Sequence, residues 1–183
     1  MPGTHKESPA RFIAHIGMLT ALSAALSFLE WLLPPVPGLP PGIKLGLANV
    51  VVMFTLFCCG VKDAFVVSLL KSAFVFFGRG WVAFALSLTG SLLSVAVMVL
   101  ISRLLSGKKN YKLISVFGAV SHNIGQLSAA VAVLGTGGFL WYYLPVMIVA
   151  GAAMGFATGI VLQVVSPALE KVPLAPKYQE EHI

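Results

Sequence analysis

Three basic side chains lie within or beside the apolar segments of this chain, and their placement suggests anion binding. Lys44 lies at the start of one segment, Lys71 in the middle of another, and Arg79 eight residues further on. Lys71 and Arg79 are eight residues apart, a little over two helical turns, so both project along one stripe of a helix. Glu30 is the only acid expected near them. We predict that the three basic residues bind a phosphate, diphosphate or carboxylate, and that Glu30 balances charge and orients a lysine.

A second set of polar residues is expected to supply directional hydrogen bonds to the same ligand. The stretch SHNIGQ places His122 and Gln126 four residues apart on one helical face, with Asn123 three residues before Gln126. Asn49 is added to this set, although it follows Lys44 by about 500° of helical rotation and shares no tight face with it. The structural alternative is that these side chains join helices, and that basic groups near segment ends reach the headgroups.

Catalytic roles are disfavoured by the residues that the chain lacks. Asp63 is its one aspartate, so it has no aspartate-rich cluster to hold magnesium and a diphosphate. No G-x-x-x-x-G-K-[ST] loop is present, and His122 has no thiol or carboxylate at local spacing. Cys58 and Cys59 are adjacent in an apolar run and are interpreted as small buried residues. We expect a non-catalytic protein with no metal and no cofactor.

The elements that position these residues are predicted from composition. The 183 residues are 58% hydrophobic and 10% charged, whereas soluble domains carry about 25% charged residues. An exterior with so little polar surface must face lipid, so an integral membrane protein is expected. The net charge of +6 comes from basic residues at the ends of apolar segments. That placement is typical of an orientation signal and not of a nucleic-acid surface.

Six apolar stretches are long enough to span a bilayer as helices, given a lower limit of about 17 residues. The prediction is an all-α bundle of six transmembrane helices in a domain over residues 12–166, with tails at 1–11 and 167–183. The predicted spans are 12–33, 43–60, 62–78, 81–103, 113–134 and 141–166. The excess of lysine and arginine on one side places both termini in the cytoplasm.

Small residues at four-residue spacing mark helix faces that allow close packing. Gly151, Gly155 and Gly159 form one such ridge. The ridge either packs inside the bundle or docks a helix of another subunit, and the sequence leaves both open.

Three segments resemble the Gx transporter family, whose members are commonly labelled heptaprenyl diphosphate synthase component I. They are PPGIKLGLANVVVMFTLF, GAVSHNIGQLSAA and YYLPVMIVAGAAMGFATG, and the resemblance covers about residues 12–165. That family is similar to the substrate-binding S components of energy-coupling factor (ECF) transporters. The resemblance implies a protein of the bacterial cytoplasmic (inner) membrane that works with a transmembrane T subunit and a pair of ATPases. It also implies a T-subunit docking face on the first helix, at Gly17, Ala21 and Ala25.

Three functions are therefore expected, and the first is preferred. It is an ECF-type S component that binds a small anionic or amphipathic ligand from outside. The second is a non-catalytic membrane partner in polyprenyl diphosphate or menaquinone biosynthesis, or in quinone- or flavin-based electron transfer, with a prenyl lipid as ligand. The third is a purely structural subunit of a redox complex, which predicts an interior closed by helix packing.

Overall fold

The computed structural model describes residues 9–32, 47–105, 110–135 and 137–169, which form an all-helical bundle. The predicted all-α class is confirmed. The five helices of these ranges are α1 (Pro9–Leu32), α2 (Leu47–Cys58), α3 (Val61–Leu104), α4 (Tyr111–Leu134) and α5 (Gly137–Leu169). The predicted tails lie mostly outside the described residues, and the cytoplasmic location of the termini stays a prediction.

Four of these helices are long and apolar enough to cross a membrane. The qualifying segments are Phe12–Leu32, Val61–Leu104, Tyr111–Val133 and Tyr142–Val165. Helix α2 is also apolar but has only 12 residues, which rise about 18 Å against a hydrocarbon core of about 30 Å. Large apolar side chains are exposed along the bundle, with Phe77 at 85% exposure. These features are those of an integral membrane protein.

The described residues form five helices and not the six predicted, because the third and fourth predicted spans belong to one helix, α3. A single glycine takes the place of a loop: Gly80 has φ 79° and ψ −176°, a conformation that residues with a Cβ rarely adopt. The Oγ atoms of Ser72 and Ser87 are 3.1 Å apart, although fifteen residues of straight helix rise about 22 Å. The chain therefore reverses at Gly80, and α3 consists of a first arm (61–79) and a second arm (81–104) that pack side by side.

The glycine ridge of α5 packs inside the bundle. A Cβ on Gly155 would lie 2.7 Å from the Cα of Val116, and one on Gly159 would lie 2.7 Å from the Cα of Lys112. Both contacts are with the backbone of α4, so the absence of side chains lets the two helices approach closely. The internal alternative is thus confirmed, and this ridge is not available to another subunit.

Candidate functional site

A central cavity lies between the helices, and all five of them contribute to its walls. Its volume is about 50 Å³, enough for several waters, since one water needs roughly 10–15 Å³. Six of the eight residues predicted to bind a ligand line it: Glu30, Asn49, Lys71, His122, Asn123 and Gln126. The structure thus gathers side chains from α1, α2, α3 and α4 around one space. Whether they bind a ligand stays a prediction.

Lys71 is the most deeply buried ionisable side chain among the described residues that line this cavity, at 3% exposed. It lies in the first arm of α3, and its Nζ donates a hydrogen bond to Oδ1 of Asn49 at 3.3 Å. An ammonium group inside a membrane domain is costly, and such residues usually serve ion or substrate sites. The amide oxygen from α2 stabilises the charge and holds it at the cavity wall.

Glu30 connects α1 to the beginning of α2. Its Oε1 accepts a hydrogen bond from the backbone N–H of Leu47, the first residue of α2. The first N–H groups of a helix have no partner within the helix, and the positive end of the helix dipole favours a carboxylate. The side chain of Glu30 therefore caps α2 from a neighbouring helix while it lines the cavity.

The α4 patch is arranged as its spacing predicts. His122, Asn123 and Gln126 all line the cavity, and Asn123 Nδ2 also donates to the carbonyl of Met147 in α5 at 2.9 Å. Gly90 in the second arm of α3 makes room for two of them, because a Cβ there would lie 2.7 Å from Cγ of Gln126 and 3.0 Å from Cε1 of His122. Asn123 thus joins α4 to α5, as the structural alternative predicts, and all three residues also border the cavity.

Two of the residues predicted to bind the ligand, Lys44 and Arg79, are not among the described residues that line this cavity. Lys44 lies outside the described residues. Arg79 is exposed and lies in a separate groove on the outside of the bundle, between α1 and the first arm of α3. This Arg79 groove is lined by Ala24, Ser27, Phe28, Trp31, Phe74, Val75, Gly78 and Arg79.

A family model described as heptaprenyl diphosphate synthase component I matches residues 19–165, which is most of the chain. The chain belongs to this family. No curated protein and no solved structure showed a significant match to it. The family label inferred from the sequence motifs is thereby confirmed. The similarity to ECF S components, and with it the importer role, stays a prediction.

The central cavity is also lined by hydroxyl groups, which were not predicted from the sequence. Ser94 Oγ donates to the carbonyl of Gly118 at 2.8 Å, and the hydroxyls of Ser115 and Thr158 are 2.7 Å apart. Ser87, Ser94, Ser115 and Thr158 also line the cavity. The stretch SLTGSLLS carried a signal, since it repeats serine at spacings of four and three residues and so marks one polar helical face.

The residues expected to dock a T subunit lie on the outside of α1. Gly17, Ala21 and Ala25 are all exposed, and a Cβ on Gly17 would meet nothing within 4 Å. Among the described residues, no helix covers this face. The family name implies a partner subunit, but a T subunit and ATPases stay a prediction.

Proposed function

We propose that this chain is the membrane-embedded, non-catalytic component of a prenyl diphosphate synthase system, and that its central cavity holds the anionic head of a prenyl diphosphate. The observation that carries the proposal is the burial of Lys71 at the wall of a polar cavity. The family match supplies the ligand class, since its description names heptaprenyl diphosphate synthesis.

The cavity offers the donors that a diphosphate needs. The ammonium of Lys71 provides charge, and the side chains of His122 and Gln126, which line the same cavity from α4, can donate hydrogen bonds. Hydrogen bonds between a cation and a phosphate oxygen are roughly twice as strong as neutral ones. A low-dielectric interior strengthens them further.

Apolar side chains complete the amphipathic character of the site. Met53, Met98 and Met154 line the cavity beside the polar groups, and methionine side chains adapt to apolar ligands of irregular shape. A cavity of about 50 Å³ is too small for the whole of such a ligand. The isoprenoid tail must therefore lie between helices or in the surrounding lipid.

Catalysis is assigned to a partner subunit. Asp63 is the chain's one aspartate, and it lies in the first turn of α3, away from the cavity lining. The word component in the family description implies at least one further subunit. We propose that the chain binds or presents the prenyl substrate or product and that the partner carries the magnesium-dependent chemistry.

A second candidate is the ECF-type S component, and the exposed small-residue face of α1 favours it. Gly17, Ala21 and Ala25 lie open on that face, as a docking surface for a transmembrane partner requires. The two candidates share the cavity but differ in their partners. The hypothesis of a purely structural subunit is not favoured, because it predicts an interior closed by helix packing and the bundle contains a central cavity.

The orientation proposed for both candidates places Lys62, Arg103 and Lys112 on the cytoplasmic side. These residues lie at the start of α3, the end of α3 and the start of α4. The reversal at Gly80 then faces outward with Arg79. We also propose the bacterial cytoplasmic membrane as the location, with both termini inside.

The test is equilibrium binding of farnesyl diphosphate to the full-length protein in phosphatidylcholine nanodiscs. Lys71→Gln is expected to weaken binding at least about thirtyfold, since removing one partner of a buried charge pair costs ~2–5 kcal/mol. Lys62→Gln is the matched control, because Lys62 lies exposed in the same arm of α3. Equal affinity for the two variants and the wild type would overturn the proposal.

A further inference from the structure

The Arg79 groove adjoins the central cavity. Ser27 and Val75 line both spaces, so these two side chains form the partition between them, where α1 meets the first arm of α3. Val75 is 8% exposed, whereas Phe74 beside it is 57% exposed. The partition thus separates an exposed surface of the bundle from the polar central cavity by the thickness of one pair of side chains.

The groove itself has the composition of a site for an amphipathic anion. Its walls are mostly apolar and aromatic. The rings of Phe28 and Trp31 are in tilted contact, with 5.6 Å between their centroids. Among the described residues that line it, Arg79 is the one charged residue, and it forms no ion pair or hydrogen bond within the part of the chain that the structure describes. A guanidinium group binds phosphate oxygens in a bidentate manner. Aromatic rings are typical of the membrane interface, where such a headgroup lies.

The spacing along α3 joins the two cationic positions. Arg79 and Lys71 lie on one stripe of the first arm and are separated by a rise of about 12 Å. Val75 lies midway between them, one turn from each. An anionic head that leaves Arg79 therefore meets Lys71 after passing a single turn of helix, while its tail stays against the apolar wall of the groove.

We infer that the Arg79 groove is a lateral entry site, through which a single-chain lipid diphosphate passes from the bilayer into the central cavity, with Ser27 and Val75 as its gate. This inference rests on the proposed function. Arg79 acts as the first binding position for the head, and Lys71 as the final one. The ligand then arrives from the lipid phase and not through the aqueous face of the bundle.

The experiment measures association and dissociation rates of a fluorescent anthraniloyl farnesyl diphosphate delivered from phosphatidylcholine vesicles to the full-length protein in proteoliposomes. Val75→Phe fills the partition and is expected to slow both association and dissociation about tenfold, because a gate raises the barrier to passage in both directions. Val75→Ala widens the partition and is expected to speed both. Arg79→Gln is expected to slow both rates, and Arg79→Lys to restore them in part.

Val66→Phe is the matched control, since Val66 is exposed on the same arm and lines neither space. Unchanged rates in Val75→Phe and Val75→Ala would overturn the inference while leaving the proposed function intact. A weaker equilibrium constant with normal association would overturn it too, since Val75 would then belong to the binding site. If Arg79→Gln only reduced co-purified phosphatidylglycerol, the groove would hold a resident phospholipid and the entry route would be wrong. Failure of the wild type to bind the probe would count against the proposed function itself.

Discussion

Glu30 shows how one side chain serves both the fold and the candidate site. Its carboxylate accepts from the N–H of Leu47, and α2 in turn presents Asn49 to Lys71. A change at Glu30 therefore reaches Lys71 through the position of α2. Electrostatics favours a carboxylate at this position, because it faces the positive end of the α2 dipole. It also lines the same cavity as the buried ammonium group of Lys71.

At the residue scale we predict that Glu30→Ala lowers stability by ~0.5–2 kcal/mol, the usual cost of losing a helix cap. Glu30→Gln keeps an acceptor oxygen of similar reach and is expected to lose less than half as much. The measurement is unfolding of the purified protein in mixed micelles by titration with dodecyl sulfate. Equal losses in the two variants would show that the hydrogen bond to Leu47 contributes little.

The residues of the cavity were predictable to different degrees. Lys71 and the α4 patch follow from sequence, because a mid-helix charge and an i,i+4 pair are local features. The sequence does not predict that Arg79 and Lys71 line different spaces, the groove and the central cavity. Residues on one stripe of a helix can reach different spaces when they lie two turns apart. The serines were missed for a related reason. A hydroxyl in a helix often bonds its own backbone, as Ser72 does to the carbonyl of Ser68, and its further contacts depend on neighbours that sequence does not place.

At the scale of elements, glycine decides how closely helices pack and where one of them reverses. The ridge on α5 meets the backbone of α4, whereas Gly17 on α1 meets nothing. The same four-residue spacing thus belongs to an internal face in one helix and an open face in another. Periodicity cannot distinguish these cases, because both are apolar and both face something other than water. The positive φ of Gly80 was likewise not predictable, since glycine occurs in membrane helices without turning them.

We predict that Gly155→Ala destabilises the protein by ~1–3 kcal/mol, the usual cost of overpacking, since its Cβ would lie 2.8 Å from the carbonyl oxygen of Ser115. Gly17→Ala is the matched control. It is expected to be neutral or stabilising by up to ~1 kcal/mol, because alanine is the better helix former and the space is open. Dodecyl sulfate unfolding of the two variants side by side measures the difference. A destabilised Gly17→Ala beside an unaffected Gly155→Ala would show that α5 does not depend on close packing against α4 at Gly155.

At the scale of the whole molecule, the described bundle is apolar outside and has both apolar and polar side chains inside. An apolar core cluster is buried together with serine and threonine side chains and Lys71, while large phenylalanine, leucine and tryptophan side chains are exposed. In lipid this arrangement leaves no apolar driving force between helices, so packing and hydrogen bonds hold the bundle together. Any partner must recognise the bundle in the same way, through close helix contact, and the exposed small-residue face of α1 allows such contact.

The final prediction concerns that partner. Tagged full-length protein, purified gently from its own host, is expected to recover a catalytic prenyl diphosphate synthase subunit, identified by mass spectrometry. Recovery of a T subunit and ATPases would instead establish the importer candidate, provided that the double variant Ala21→Phe/Ala25→Phe no longer recovers them. The control is Ala153→Phe/Ala157→Phe, which places the same two rings at the same spacing on an exposed face of α5. If T subunit and ATPases survived the α1 substitutions, that face would not be their docking surface. Because a phenyl ring at either pair blocks helix approach equally, only the position of the true interface can make the two variants differ.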